Sequence, residues 1–177
     1  LTTILFFYAR LLQLIGYFMQ NNMDATDLRI LEHLQQDASM TAAQLADKVG
    51  LSQSPCWRRV SRLEENGLIR KRVALLDPER LGFNIVAFIT VSLSAHGRQS
   101  LAEFETAVRE FPEVIECYTI TGSMDYMLKI VTRDIKHFEK FLRNRLSQLE
   151  GVREMHSHVA ITEIKCTTEL PLLAPSR

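Results

Sequence analysis

Apolar residues recur at helical spacing in two short segments near the start of the chain. The first follows Asp24, carries leucines three positions apart and ends near Gln36. The second follows Thr41, which makes a capping-box pattern with Gln44, and it stops at Gly50. Because both segments begin at residues that cap helices well, the pattern predicts two amphipathic helices.

A third helical segment follows in the sequence LSQSPCWRRVSRLEENG. At about 100° per residue, Cys56, Val60 and Leu63 fall on one side of this helix and predict a buried stripe. The opposite side carries arginines and serines. Short helices joined by a tight turn predict a helix-turn-helix, and the basic segment 68–76 predicts a strand in the position of a wing.

The pattern changes after the turn sequence DPERLG, residues 77–82, which marks a domain boundary. The order that follows is strand, helix, strand, strand, helix, strand, with the last strand extending to residue 165. This order is typical of a ferredoxin-like α/β sandwich. Its open sheet face needs a cover, and a second subunit is the simplest one. The predicted fold class is α+β: an N-terminal winged helix-turn-helix followed by a βαββαβ domain.

Charge is distributed unevenly along a chain that is neutral as a whole. The chain has 177 residues, a hydrophobic content of 46% and a formal net charge of zero. That hydrophobic content is typical of a globular protein rather than a disordered one. Six basic residues lie between residues 52 and 72 against two acidic ones, so this segment alone is expected to face a polyanion.

The third helix has two interpretations, a solvated amphipathic surface and a DNA-reading surface. Its exposed face holds arginines and serines, which suit phosphates and bases, rather than alternating Glu and Lys. Its first turn also offers free backbone N–H groups. The preceding capped helix is in the place that a helix-turn-helix requires. These features favour DNA binding.

Cysteine and histidine positions indicate no metal centre. The three cysteines are Cys56, Cys117 and Cys166, which form no CxxC pair and are expected to be reduced, mostly buried thiols of a cytosolic protein. His156 and His158 would share one face of a strand, but no cysteine or carboxylate cluster joins them. We therefore predict neither a bound metal nor a cofactor.

Residues 1–22 are mostly apolar, and Arg10 is their one charge. The segment is long enough to span a bilayer, but a mid-segment arginine makes insertion costly. A membrane anchor and an added packing helix remain alternatives. We interpret the segment as an extension upstream of Met23 and expect no membrane partner.

Three motifs resemble those of a known family. The sequence LDPERLG follows a helix that ends in RRVSRLEENGLI, and TGSMDYML comes later in the chain. In this order and spacing they resemble the Lrp/AsnC (feast/famine) transcriptional regulators, from Asp24 to Leu170. The resemblance implies a cytoplasmic, non-enzymatic regulator that binds double-stranded DNA and a small effector, commonly an amino acid. It also implies a homodimer that assembles into an octamer.

The resemblance also implies a division of the chain. We expect an N-terminal extension over 1–22, a winged helix-turn-helix DNA-binding domain over 23–76 and a hinge over 77–83. An effector-binding and oligomerisation domain would cover 84–177. The expected DNA-contacting residues are Ser52, Gln53, Ser54, Trp57, Arg58, Arg59, Ser61, Arg62, Arg70 and Arg72.

Within that set, base reading is expected from Arg58, towards guanine, and from Gln53, towards adenine. Arg62, Arg70 and Arg72 are candidates for phosphate contacts. Arg59 lies near the buried edge, so we expect it both to brace the helix and to touch a phosphate. Trp57 is open between helix packing and contact with a thymine methyl or a sugar.

The sequence TGSMD predicts a hairpin turn by its composition alone. In the family that it resembles, the effector loop has this Gly-x-x-Asp-Tyr form. Asp125 is then a candidate partner for an α-ammonium group, and hydroxyl or backbone groups before it could bind a carboxylate. The expected effector-binding residues are Thr121, Gly122, Ser123, Met124 and Asp125.

Two alternative functions fit the same two-domain plan. Sirohaem decarboxylases resemble it, but they carry a His-Asn-Tyr string near the position of TGSMDYM, and this chain has no such string. An architectural protein that bends DNA without an effector is the other alternative.

Overall fold

The computed structural model describes residues 23–94 and 97–172, which form two compact units. The first unit contains the described residues up to Ala74 together with those from Cys166 onwards, and the second is Leu75–Lys165. The C-terminal segment was expected in the second domain. It groups with the first because the Gln35 amide donates to the Leu170 carbonyl at 2.9 Å and accepts from the Leu170 N–H at 2.8 Å.

Three helices build the first unit: α1 (Ala25–Gln36), α2 (Ala42–Val49) and α3 (Gln53–Glu65). The predicted caps are confirmed. Asp24 and Asp27 form a capping box at the start of α1, and Thr41 and Gln44 form one at the start of α2. Gly50 ends α2 with φ of 70°, a left-handed conformation that glycine adopts without strain.

The core of the first unit lies between these helices. The predicted stripe of α3 is confirmed, because Cys56, Val60 and Leu63 are all buried. They pack with buried residues of α1 and α2, among them Ile30 and Leu45. Each large aliphatic side chain buried in this way contributes about 1.5–3 kcal/mol. The packing determines which side of α3 faces outward.

The strand predicted over 68–76 is wrong, because the structure describes this segment as turn and irregular backbone. A strand needs a hydrogen-bonded neighbour, and within the described chain this segment has none. Its side chains from Arg70 to Leu76 are exposed. The residue types of this segment therefore did not suffice to form a strand.

The second unit has the predicted order of elements. Its strands are β1 (Ile85–Leu93), β2 (Val114–Thr119), β3 (Tyr126–Thr132) and β4 (Val152–Val159), and its helices are α4 (Gly97–Arg109) and α5 (Ile135–Asn144). A short 3₁₀ turn, Leu146–Gln148, follows α5. The sheet order is β2-β3-β1-β4, all neighbours are antiparallel, and this is the ferredoxin-like arrangement.

The last strand is shorter than predicted. It ends at Val159, which is opposite Ala87 near the start of β1, so little of β1 is left for further pairing. Beyond this point Ile161 and Ile164 are 99% and 90% exposed, although isoleucine is a residue that favours strands. Loss of the pairing partner therefore ends β4, although the residues that follow are of types that favour a strand.

The core of the second unit lies on one face of the sheet. Alternate residues of β1 and β3, such as Ile89 and Leu128, are buried against Phe104 of α4 and Phe138 of α5. The other face is more open, and it carries Phe88 at 39% exposure. The alternation of β1 and β3 therefore separates a helix-covered face from an uncovered one.

Cysteine burial differs from the prediction. Cys56 is buried, whereas Cys117 and Cys166 are exposed, and all three are free thiols. Cys117 lies on the edge strand β2, and Cys166 lies in the segment after β4. Small apolar residues can occupy such positions at little cost, so residue type did not predict their burial.

The part of the chain that the structure describes offers neither a membrane span nor a metal cluster. None of its helices is long and apolar enough to cross a membrane. No group of three or more His, Cys, Asp or Glu side chains in it could hold a metal ion. The segment 1–22, which was interpreted as an extension, lies outside the described residues.

Asp24 makes the stability of the first unit dependent on acid pH. The backbone N–H of Asp27, and then the Arg59 guanidinium, hold the pKa of Asp24 below its ordinary value of 3.8. A carboxylate with a lowered folded-state pKa stabilises the fold above its ordinary pKa, and this contribution is lost as the pH falls through the folded value. We expect wild type to lose more stability than Asp24→Asn between pH 5 and pH 3, a window of about one unit on each side of that ordinary pKa. Urea unfolding at each pH measures this, and equal losses in the two proteins would contradict it.

Candidate nucleic-acid interface and effector turn

The outward face of α3 presents most of the residues expected to contact DNA. Ser52, Gln53, Ser54 and Arg58 are exposed, and they lie in or directly before the first turns of the helix. Ser61, further along the helix, is half-buried. This face combines a guanidinium, an amide and hydroxyl groups, which together can hydrogen-bond to base edges and phosphates.

The start of α3 differs from the starts of α1 and α2. Ser52 occupies the N-cap position, but its hydroxyl makes no capping hydrogen bond to a described residue. The first backbone N–H groups of α3 therefore lack the side-chain partner that the other two helices have. Free N–H groups at a positive helix end favour an anion such as a phosphate.

Arg59 and Arg62 form ion pairs with carboxylates at the start of α1, although part of each arginine side chain is exposed. Arg59 Nη1 lies 2.7 Å from Asp24 Oδ2 and 2.9 Å from Asp27 Oδ1, and Arg62 Nη2 lies 2.6 Å from Asp27 Oδ2. The Asp27 side chain is fully buried, whereas the arginines are 29% and 47% exposed. We call Asp24, Asp27, Arg59 and Arg62 the α1–α3 clamp. It fixes the rotation of α3 against α1.

The basic residues of α3 and of the segment after it differ in whether they form an ion pair with a described residue. Arg72 Nη2 lies 2.8 Å from Glu64 Oε1, so a phosphate would have to compete with that carboxylate. Arg58, Arg70 and Lys71 are exposed, and their side chains have no ion pair with a described residue. Sequence reasoning left Lys71 out of the expected DNA contacts, although its place between two arginines was a sufficient signal.

Trp57 is 51% exposed and also borders a small crevice. Met40 and Ala42, at the entry to α2, line the same crevice, and so does Arg72. Part of the indole therefore lies against other residues of the first unit, and part is exposed to solvent. The packing interpretation accounts for the first part, and the contact with DNA stays a prediction.

The turn between β2 and β3 has the residues expected of the effector loop at its surface. Thr121, Gly122 and Ser123 are exposed, and Met124 and Asp125 are half-buried. Gly122 has φ of 120°, a backbone conformation that other residues rarely adopt. The turn therefore depends on glycine at this position.

Asp125 already has a structural partner in the second unit. Its Oδ2 accepts from the Leu93 N–H at 2.7 Å, and its own N–H donates to the Val91 carbonyl at 2.9 Å. These bonds extend the link between β1 and β3 beyond the strand ends. One carboxylate oxygen is thereby engaged, and Oδ1 has no hydrogen bond with a described residue.

Two residues near this turn, Tyr126 and Arg153, form hydrogen bonds with other side chains of the second unit. Tyr126 is buried, its ring centre lies 4.7 Å from that of Phe104 at an angle of 41°, and its hydroxyl donates to Glu105 at 3.0 Å. Burial raises the pKa of Tyr126. Tyr126 therefore packs inside the second unit. Arg153 donates to Ser92 Oγ at 2.8 Å, beside the Leu93 that Asp125 holds. Sequence reasoning missed this cation near the turn, because the pairing of β4 with β1 brings it there.

Family comparisons support both halves of this description. A model described as winged helix-turn-helix DNA-binding matches residues 23–70, and one described as the Lrp/AsnC ligand binding domain matches residues 86–170. The first match includes all of α3, and the second includes the turn at residues 121–125. The chain is thus a DNA-binding transcriptional regulator with a ligand-binding domain.

Similar proteins are known from several bacteria. The DNA-binding transcriptional activator DecR of Escherichia coli is 35% identical over 150 residues, which is 85% of this chain and 99% of that protein. A proline dehydrogenase transcriptional activator of Rhodobacter capsulatus is 42% identical over 146 residues, 82% of this chain and 95% of that protein. A Neisseria meningitidis transcriptional regulator crystallised with L-Met has a TM-score of 0.83 at 38% identity, covering 86% of this chain and 98% of that one. The chain belongs to the Lrp/AsnC family.

Proposed function

We propose that this protein reads a specific operator through α3 and changes its DNA binding when an amino acid binds near the turn at residues 121–125. The observation that carries the proposal is the exposed Gln53–Arg58 face of α3. The α1–α3 clamp holds α3 through Arg59 and Arg62 and so fixes which face of the helix is outward. The protein would act by binding alone, without catalysis, in the cytoplasm where its DNA partner is found.

The division of roles within the interface follows from which cations are already paired. Arg58 and Arg70 are exposed, and neither side chain has an ion pair with a described residue. Both are therefore available to contact DNA. We propose base reading for Arg58 together with Gln53, and phosphate contact for Arg70 and Lys71. Arg59 and Arg62 contribute mainly by holding α3 through Asp27, with their exposed fractions available to a phosphate.

The effector role rests on the turn and on Asp125 Oδ1, which has no hydrogen bond with a residue that the structure describes. An α-ammonium group could bind to Oδ1 while Oδ2 keeps its bond to Leu93. The exposed hydroxyls of Thr121 and Ser123 and nearby N–H groups would suit the α-carboxylate. The similar N. meningitidis regulator was crystallised with L-Met, which supports an amino acid as the ligand class.

We further propose a homodimer that assembles into an octamer. Apolar side chains are exposed at the open sheet face, at Phe88 and Met127, and just before the expected hinge, at Leu75 and Leu76. Exposed apolar surface of this kind is costly in a single chain and is relieved by contact with another copy. Analytical ultracentrifugation tests this, and a monomer at micromolar concentration would reject it.

The experiment for the whole proposal is a selection of bound genomic fragments, with and without each of the twenty amino acids. We expect a common operator sequence and at least one amino acid that changes occupancy. Fragments without a common sequence, whose binding is unaffected by every amino acid, would instead indicate an architectural protein.

Asp125→Asn separates the ligand role of this side chain from its structural role. The amide oxygen of Asn can still accept from the Leu93 N–H, but the charge that would attract an ammonium group is removed. We expect amino-acid affinity to fall about tenfold or more, as is typical for loss of a charge-assisted hydrogen bond. Calorimetry measures it, with Asp47→Asn, an exposed site on α2, as the control. Equal affinity in the two variants would reject the role.

A further inference from the structure

The second unit has a cleft at the opposite end of β3 from the effector turn. Its volume is about 630 Å³, which is within the usual range of small-molecule sites. The turn precedes Tyr126 at one end of β3, and the cleft includes Thr132 and Arg133 at the other end. At about 3.3 Å per residue, the strand separates the two places by roughly 20 Å.

Four of the residues that line the cleft are apolar. Phe83, Pro112, Val131 and Phe141 line it, and they come from the start of the unit, the segment before β2, the end of β3 and α5. Two of these are aromatic rings, and Phe141 is almost fully buried. Such a surface favours a ligand with an apolar body over a bare inorganic ion.

One cation of the cleft is held in a fixed position. Arg145 Nη1 lies 3.0 Å from each carboxylate oxygen of Glu113. Its guanidinium carbon also lies 4.5 Å from the centre of the Phe111 ring. An ion pair combined with a cation–π contact restrains the side chain, so Arg145 and Glu113 form a rigid wall.

Two other cations of the cleft are unengaged. Arg133 and Lys140 both line it and are exposed, and neither side chain has an ion pair or hydrogen bond with a described residue. Asn144 adds an amide on the same face of α5. Since Glu113 is matched by Arg145, Arg133 and Lys140 leave the lining of the cleft with positive charge beside apolar side chains.

We propose that this cleft binds a small organic anion with an apolar body. Arg133 and Lys140 would bind the anionic group, and Phe83 and Phe141 would contact the apolar part. The guanidinium of Arg133 suits a carboxylate or a phosphate group, because both accept two parallel hydrogen bonds. The site is separate from the effector turn, so the protein would have two ligand sites in one domain.

Calorimetry on the full chain tests the chemistry with four probes of similar size. They are 3-phenylpropionate, phenyl phosphate, the neutral 3-phenylpropanamide and the cation phenethylamine. We expect one or both anions to bind with a dissociation constant in the millimolar range or tighter, and the neutral and cationic probes to bind far more weakly. The stronger of the two anions identifies the head group. Failure of both anions to bind, or equal binding of the amide, would overturn the proposal.

Variants test the location. Arg133→Ala and Lys140→Ala are each expected to weaken binding of the anion about tenfold, because each removes one charged partner. Lys136→Ala is the matched control, since it removes an exposed lysine of α5 that does not line the cleft. Both cleft variants remove exposed side chains, so the fold should be retained. Unchanged affinity in both, or an equal loss in Lys136→Ala, would place the anion elsewhere and reject this site.

A double comparison distinguishes this inference from the proposed effector role. Asp125→Asn should leave binding of the aromatic anion unchanged, and Lys140→Ala should leave amino-acid binding unchanged. If Asp125→Asn instead abolishes anion binding, the anion occupies the turn and the cleft proposal fails. If amino acids do not bind at all, the effector proposal fails, and the result for the cleft stands independently.

Discussion

Asp27→Ala is expected to lower the free energy of unfolding of the first unit by about 2–4 kcal/mol. Breaking a buried ion pair by removal of one partner costs about 3–5 kcal/mol, because the other charge is left without a counter-charge. The value here is discounted, since Arg59 and Arg62 are partly exposed and water can solvate them. The variant also loses the capping bond from the Asp24 N–H to Asp27 Oδ2.

Urea unfolding followed by fluorescence measures this effect, because Trp57 is the one tryptophan of the chain and lies on α3. Asp47→Ala is the control, as it removes an exposed carboxylate of α2. Asp27→Asn should fall between the control and Asp27→Ala, since its amide oxygen can still accept one hydrogen bond. If Asp27→Ala and Asp47→Ala unfold at the same urea concentration, the α1–α3 clamp does not stabilise the unit.

Arg58→Ala is expected to weaken binding to the selected operator by about 1–3 kcal/mol, which is roughly 5–150-fold, and to relax the base preference at one position. The reason is that Arg58 is exposed on α3 and is not engaged with any described carboxylate. Fluorescence anisotropy with labelled operator and a scrambled duplex measures both effects at a fixed salt concentration.

Arg70→Ala is the matched comparison for Arg58→Ala. Arg70 lies in the exposed segment after α3, where a phosphate contact is proposed. Its loss should weaken operator and scrambled DNA to the same extent and should reduce the slope of log affinity against log salt by about one. An equal loss on both duplexes for Arg58→Ala as well would reject base reading by that residue.

The arginines of α3 show that helical spacing predicts which side chains are exposed but not which distant residues they contact. Helical spacing predicted that Arg58 faces outward and that Arg59 lies near the buried edge, and the exposures agree with both. Spacing did not predict the partner of Arg62, because Asp27 lies 35 positions away and is brought to α3 only by helix packing. The same applies to Asp125, whose carboxylate meets the Leu93 N–H through the pairing of β1 with β3.

Local patterns by themselves determined the helices, their caps, the buried stripe of α3 and the order of elements in the second unit. They could do so because capping and amphipathic burial involve residues within a few positions of one another. The tertiary structure decided the rest: the absence of a described strand over 68–76, the end of β4 at Val159, the α1–α3 clamp and the cleft between β3 and α5. Each of these depends on whether a segment distant in the sequence supplies a hydrogen-bond partner, a counter-charge or residues that line the cleft. Such long-range contacts are determined by packing of the whole unit and not by the local spacing of residues.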